Sequence, residues 1–545
     1  MTEVEQSLNE RKVFSSEEFK IEIQNLPKFF GVGQIKKVLT NKLKLKFHKV
    51  KPVGHGAKYM FVNFSNEEDR EEAIAKLDGY ELKGNKLKAF KARAAKDPMV
   101  KAAEDREEGK VNEVVDDRPI TERIKSAVVP LADKDYQDQL AFKKAAIEEL
   151  LAKLKKNFMK QNGFFKSHGI TDEDLVHLED FIPSPIINGY RNKCEFSVGK
   201  HPETNDITVG FRLASYKKGS ISVANIDHLD NVSDSMKSIV KHFEDFVKES
   251  NYEPFDAVSH QGYWKQLTVR QGIRTKNLLV WAVLHPQELK DDEKTDLEEK
   301  LSKHFEGWEV TSLNIQYMGP RQKGQPDPPV KCIIGQKYIQ EQLMNLTFKV
   351  SPQAFFQINT IAAEKLYEAC GAIADLDKQT ILFDVCCGTG TIGLCLASKV
   401  KEVHGVDIIE EAVEDARANA EANGLTNASF HAGRAEFVLP ELLRKFDKNE
   451  ECKTVAIVDP PRSGLHPKAV LALRASNVDT LVYVSCDARA AMNNFVDLGR
   501  MTSNTYKGEP FYPTKVIPVD LFPHTKHFEL IILFKRFPLK QALNC

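Results

Sequence analysis

The sequence predicts an α/β chain whose C-terminal part is a doubly wound parallel sheet, preceded by a β-rich central region and a small ferredoxin-like unit. Three observations carry this. From residue 351 onward buried strands alternate with helices: ILFDV, GLCLASKV, VHGVD, EEAVEDARANAEANG, AIVDPP and LVYVSC. Between 176 and 350, β-branched and aromatic runs recur at RNKCEFSVG, DITVGFRLAS, KQLTVRQGI, NLLVWAVLH and SLNIQYMG, with helical insertions near 233–250 and 289–304. Near the start, the element order reads βαββαβ over about 80 residues.

Length and charge bound the alternatives. A chain of 545 residues supports several domains. Lys+Arg 77 against Asp+Glu 78 leaves a net charge of −1, so attraction to nucleic acid must come from local patches. The opening MTEVEQSLNE is acidic and reads as neither a secretory signal nor an Arg-rich transit peptide. No apolar run reaches the roughly 18 residues that a membrane span needs. Nine cysteines, scattered and without a C-x-x-C pair, fit neither a disulfide framework nor a zinc ribbon. The expectation is a soluble cytosolic protein, the nucleus being a second compatible compartment, without membrane contact and without a metal.

Taken in order, a tail over 1–15 precedes the ferredoxin-like unit at 16–95. Within that unit KIEIQNLP (20–27) alternates like a strand, and Ile35, Val38 and Leu39 mark a helix. A strand near 45–51, AKYMFVNF (57–64), a charged helix over about 66–78 and LKAFKA (87–92) complete it. From 91 to 135 no aromatic residue occurs and charge is dense, so 96–130 reads as a linker. In the helical segment 131–175, Leu140, Ile147, Leu151, Leu154 and Phe158 share one face of a long helix ending near Gly163. The β-rich region 176–350 and the α/β domain 351–545 follow.

The first chemical motif joins strand ILFDV (381–385) to CCGTGTIG, in which Gly388, Gly390 and Gly393 have G-x-G-x-x-G spacing. Glycines let the backbone approach a ligand, and the helix start favours a negative group. A tight strand-to-helix turn would select glycine as well. Asp407 ends the next buried strand, 19 residues beyond Gly388, where a carboxylate can accept ribose hydroxyls. Dinucleotide and S-adenosylmethionine (SAM) sites both fit. Asp459-Pro460-Pro461-Arg462 at the tip of the fourth strand resembles the catalytic loop of SAM-dependent methyltransferases; its plainer reading is a Pro-stiffened turn.

Strand LVYVS delivers Cys486-Asp487 to the carboxyl edge of the sheet, the ligand-binding edge of open α/β folds. Most other cysteines, Cys370 and Cys395 among them, read as small buried hydrophobes. In HTKHFELIILFKR, Glu529 stands where a polar loop becomes an apolar strand. A solvated strand edge would explain it; pairing with Cys486 gives it chemistry. Carbon 5 of uracil is a poor nucleophile until a thiolate adds at carbon 6, and a base must afterwards remove the carbon-5 proton. Cys486 suits the first role and Glu529 the second, with Asp459 hydrogen-bonding uracil or orienting the cofactor. Arg462 or Arg489 would help form the thiolate.

RNKCEFSVG (191–199), SPQAFFQIN (351–359), DVCCGTGTIGL (384–394), VDPPRSGLHP (458–467), YVSCDA (483–488) and HFELI (527–531) together resemble the RNA uracil-5-methyltransferase family over roughly 180–537. The resemblance implies a Rossmann-like SAM methyltransferase domain, Cys486 as nucleophile and Glu529 as general base. It also implies that Gln357, Cys386, Gly388, Thr391, Asp407 and Asp459 contact SAM or the target base. Gln357 could in addition pair with a uracil edge through its amide. Some bacterial relatives carry an iron–sulfur cluster on clustered cysteines; none is spelled here, so no metal or cluster is expected. The substrate implied is tRNA, methylated to 5-methyluridine in its T-loop, with other RNAs open.

AKYMFVNF resembles the third-strand signature of an RNA-recognition motif, with Tyr59 and Phe61 at its stacking positions. Eight lysines and no acid lie between Lys36 and Lys58. Yet Glu22 occupies the first-strand position where that family usually has an aromatic. The expectation is a weakened RNA module, with a protein-contact role as the alternative. A flipped uridine must reach Cys486, and Tyr190, Arg191, Lys193 and Phe196 of the β-rich region are expected to cradle it. Three other functions are carried beside this one: an RNA cytosine-5-methyltransferase, a nicotinamide-dependent oxidoreductase resting on the glycine loop and Asp407, and a noncatalytic RNA-binding or chaperone protein.

Overall fold

The structure, a computed structural model, describes residues 19–27, 30–52, 57–93, 116–213, 222–256, 259–320, 325–445 and 452–537. The tail read over 1–15 and residues 96–115 of the linker lie outside these. Two units are distinguished, one holding the N-terminal domain and one holding almost everything from Asp117 onward.

In the N-terminal unit Lys20–Gln24 is central in a four-stranded antiparallel sheet, flanked by Met60–Asn63 and Lys88–Lys91, with Lys49–Pro52 outside Met60–Asn63. Alternation sorts its faces: Ile21, Ile23, Met60, Val62 and Ala89 are buried under the helices Val32–Lys37 and Glu67–Leu77. The second helix starts where expected because Asn66 accepts a hydrogen bond from the Asp69 amide at 2.7 Å, with three acids in the first turn.

The second unit opens on a helix, Ile120–Val128, inside the stretch read as linker. Dense charge conceals an i, i+4, i+8 apolar stripe of Ile120, Ile124 and Val128. Ile124 and the following Val129 enter the core of the central domain. That domain is a seven-stranded sheet ordered Val223–Ala224, Ile207–Arg212, Lys193–Lys200, Trp264–Gln271, Leu278–Leu284, Ser312–Tyr317, Lys331–Gly335. All pairs are antiparallel except Leu278–Leu284 with Ser312–Tyr317, which the helix Asp291–His304 connects as a crossover requires.

The α/β domain is an eight-stranded sheet ordered Ala428–Ala432, Glu402–Asp407, Ile381–Val385, Thr454–Val458, Thr480–Ser485, Glu529–Arg536, Phe511–Val519, His177–Leu178. The first five are parallel; Glu529–Arg536 inserts antiparallel between Thr480–Ser485 and Phe511–Val519. Both faces are covered at the centre, where Ile381–Val385, Thr454–Val458 and Thr480–Ser485 are buried along their whole length. Leu382, Val455, Val482 and Ile531 pack on the helix Thr360–Ile373 side, while Ile381, Phe383, Leu481 and Ile532 pack with the long helix Tyr136–Gln161. The hairpin Ile339–Leu343/Leu346–Val350 joins the first of these cores, so the α/β core reaches back before residue 350.

Candidate active site

Cys486 and Glu529 meet through strand register. Ser485 and Leu530 close the antiparallel ladder at the carboxyl edge of the sheet, Cys486 and Glu529 adjoin that pair on the two strands, and Glu529 is near enough to raise the Cys486 thiol. Glu529 also pairs with Val519 on its other side, is 3% exposed, and its Oε2 has no hydrogen-bond partner. Asp459 follows the neighbouring strand Thr454–Val458, and its Oδ2 accepts a hydrogen bond from Gln357 Nε2 at 3.3 Å.

Burial together with like charge governs protonation here. Burial first, then Asp459, holds the Glu529 carboxyl well above the usual range. Asp459 is pushed up to about 7 by burial, against the Gln357 hydrogen bond. The half-buried Cys486 thiol is pushed up to about 11 by burial, Glu529 and Asp459, which together outweigh Arg462. Burial and the two carboxylates thus oppose the help toward a thiolate expected from Arg462 or Arg489. Arg462 does act in the anticipated direction; Arg489 instead acts on the exposed Glu149.

The glycine loop fits an adenosyl cofactor, and its glycines have different causes. Gly388 has φ +52°, and a Cβ there would meet nothing within 4 Å, leaving open space above the loop. Gly390 has φ +79° and would drive a Cβ to 2.8 Å from the Phe430 ring, while Gly393 packs against Val403 and Asp384. Asp407 is oriented by two backbone amides, Oδ2 accepting from Gly388 and Oδ1 from Ile409, each at 2.9 Å. Cys386 takes a positive φ of 65° and its thiol is pushed up to about 12 by burial and the surrounding carboxylates. Thr391 Oγ1 lies 3.1 Å from the buried Tyr367 hydroxyl.

Several further residues hold this arrangement, though the sequence alone gives none of them a role. Asn192 donates from Nδ2 to the Gln357 carbonyl at 2.7 Å and to Thr360 Oγ1 at 2.9 Å, and its amide donates to the Ile358 carbonyl. Buried Arg270 donates to the Ala354 carbonyl at 2.8 Å. Both fix the SPQAFFQIN segment from the central sheet. Asp384, wholly buried below the loop, accepts the Gly393 amide at 2.8 Å and is pushed up to about 7 by burial.

The expected RNA cradle divides. Phe196 is 0% exposed in the central core, and Tyr190 is buried with its hydroxyl donating to the Pro523 carbonyl at 3.1 Å. Neither presents a surface to a nucleotide: Phe196 falls on the inward face of an alternating strand. Lys193 pairs with Glu195 at 2.7 Å and stays partly exposed, and Arg191 keeps an unpaired Nε beside Cys194. Tyr59 and Phe61 belong to the N-terminal unit, where their rings meet edge to face at 5.9 Å.

The sequence model described as tRNA (Uracil-5-)-methyltransferase matches residues 184–537, and that described as RNA recognition motif matches 23–88. The chain is 41% identical to tRNA (uracil-5-)-methyltransferase homolog A of Mus musculus, over 96% of this chain and 85% of that one. It is 38% identical to homolog B of Homo sapiens, covering 76% of this chain and 84% of the relative. Among solved structures, the Pyrococcus abyssi tRNA (uracil-54, C5)-methyltransferase in complex with S-adenosyl-L-homocysteine shares the fold, with TM-score 0.52 and 24% identity over 74% of this chain and 84% of that chain. Matched over most of its length, the chain belongs to the tRNA (uracil-5-)-methyltransferase family.

Proposed function

We propose that this protein is a SAM-dependent enzyme that methylates uridine C5 in tRNA, forming 5-methyluridine in the T-loop through a covalent cysteine adduct. The observation that carries the reading is the juxtaposition of Cys486 and Glu529 across one strand pair, beside the Gln357–Asp459 contact, in a chain of this family.

When bound, SAM supplies an electrophilic methyl group. The open space over Gly388, the oriented Asp407 carboxylate and the exposed Ile408 next to it suit its ribose and adenine. The Cys486 thiol passes its proton to solvent as Sγ bonds to uracil C6; the C5–C6 π pair moves to C5, which bonds the methyl carbon as the methyl–sulfur bond breaks and its electron pair stays on the departing thioether. Glu529 in its carboxylate form then accepts the C5 proton, the C5–C6 double bond reforms and the thiolate leaves. The Asp459–Gln357 pair orients the ring edge or the cofactor amine. Burial of Glu529 keeps competing water from the base and raises its basicity toward the range a carbon acid needs.

Transfer of labelled methyl from SAM to a T-loop transcript tests this. Transfer that requires uridine at the target position is expected; label appearing on cytidine instead would favour the cytosine-5 alternative and overturn the assignment.

A further inference from the structure

We infer that the N-terminal domain binds single-stranded RNA with a preference for guanosine, read by Glu22 between two stacking rings. This rests on the RNA-binding reading of that domain, which the recognition-motif match supports.

The register lays out the outer face of the sheet as a grid. Glu22 pairs with Phe61 on one side and Phe90 on the other, and Phe61 pairs with Lys51. Directly paired residues share a face, so Phe90, Glu22, Phe61 and Lys51 form one row across four strands. Their neighbours Ile21, Ile23, Val62 and Ala89 point to the core, which leaves the row outward. Phe90 is 41% exposed and Tyr59 37%, so both rings keep surface to offer a ligand. The first-strand aromatic replaced by Glu22 is therefore compensated from the fourth strand by Phe90.

Polar groups frame the rings. Lys20 Nζ sits 4.8 Å from the Phe61 ring centroid, and exposed Lys49 and Lys88 flank the row on neighbouring pairs. The exposed Lys49 and Lys88 suit a phosphate backbone running over the face, and the rings suit bases. Gln24 Nε2 donates to Glu22 Oε1 at 2.6 Å and so fixes the carboxylate among the rings.

A carboxylate only accepts hydrogen bonds. A base stacked on Phe61 or Phe90 turns an edge toward Glu22, and the edge must therefore donate. Guanine offers N1–H and N2–H side by side, matching two carboxylate oxygens. Adenine and cytosine offer one amine beside an acceptor, and uracil offers N3–H between two carbonyl oxygens that the carboxylate repels. A bidentate contact of this kind discriminates by at least about fivefold.

The test uses the full-length protein and fluorescently labelled uridine hexamers that are unmodified or carry one central guanosine, inosine or adenosine, with affinity read by anisotropy. The guanosine hexamer is expected to bind at least about fivefold tighter than the uridine one, with inosine, lacking the N2 amine, between them. Glu22→Gln should erase the difference while Phe61→Ala and Phe90→Ala weaken every hexamer. Equal binding of guanosine and uridine by the unaltered protein overturns the guanosine preference alone. A uniform gain in all affinities with Glu22→Gln overturns it too, since Glu22 would then only repel phosphate. Unchanged affinities in both phenylalanine variants overturn the RNA-binding reading of the face, and leave protein contact as its use.

Discussion

Lys143 Nζ lies 2.7 Å from Asp520 Oδ1, and neither side chain has any exposed surface. The pair ties the first turns of the helix Tyr136–Gln161 to the segment leading into Glu529. Lys143 also donates to the Phe522 carbonyl at 3.0 Å, Tyr136 donates to Asp520 Oδ2 at 2.9 Å, and Gln139 accepts the His524 amide at 2.7 Å. A helix outside the residues matched by the methyltransferase sequence model thus anchors the approach to the candidate base.

Removing one member of this pair strands a buried charge. Lys143→Met should destabilise by about 3–5 kcal/mol in urea unfolding, and Lys143→Met with Asp520→Asn should recover part of that loss. A single variant costing under about 1 kcal/mol would show that the anchor contributes little.

Arg462 is the cation that lowers the Cys486 thiol, against burial and two carboxylates. Arg462→Gln should move the rising limb of adduct formation to higher pH, and slow the reaction near neutrality by up to about tenfold if the limb moves by about one pH unit. Pre-steady-state trapping across pH reads this. An unmoved limb would assign Arg462 to RNA binding alone.

Asp384 titrates at about 7 in the folded chain against an ordinary value of 3.8. Folding therefore takes up a proton between those values, and stability falls as pH rises through that window. Asp384→Asn removes the charge, and should raise the melting temperature at about pH 8 while leaving it nearly unchanged at about pH 4. Equal shifts at both would contradict a buried, protonatable carboxyl.

Asn192→Ala should release the Gln357 carbonyl and loosen the loop that presents Gln357 to Asp459. The cost in stability is about 1–3 kcal/mol, and methyl transfer should fall further than the melting temperature accounts for. Activity and calorimetry on the same preparation separate the two.

Much of the fold is legible because its signals are local. The βαβ rhythm from 351, the antiparallel runs of the central sheet and the capped helix at 67–77 follow from periodicity and end residues. The helix Ile120–Val128 is concealed because its apolar stripe is short and sits among charges that composition weighs more heavily. At the site, strand ends locate Cys486, Asp459 and Glu529, since a polar residue closing an apolar run is visible in one dimension. Lys143, Asn192 and Arg270 are buried polar groups whose partners lie far off in sequence, so no local pattern gives them their roles. The raised Cys486 thiol escapes a linear reading for the same reason: burial, its largest cause, and the carboxylates of Glu529 and Asp459 come from the packing of other strands around it. Phe196 and Tyr190 carry the right chemistry for RNA on the wrong face.

The proposed reaction turns on a temporary bond between Cys486 Sγ and uracil C6, resolved by Glu529. Incubation with SAM and a T-loop RNA bearing 5-fluorouridine, followed by denaturing electrophoresis, tests it most directly, because fluorine at C5 cannot leave as a proton. A covalent protein–RNA band that Cys486→Ala abolishes is expected, together with a comparable band on ordinary uridine RNA with Glu529→Gln. Absence of any band from the unaltered protein under conditions where it methylates uridine, or a band that survives Cys486→Ala, would contradict it.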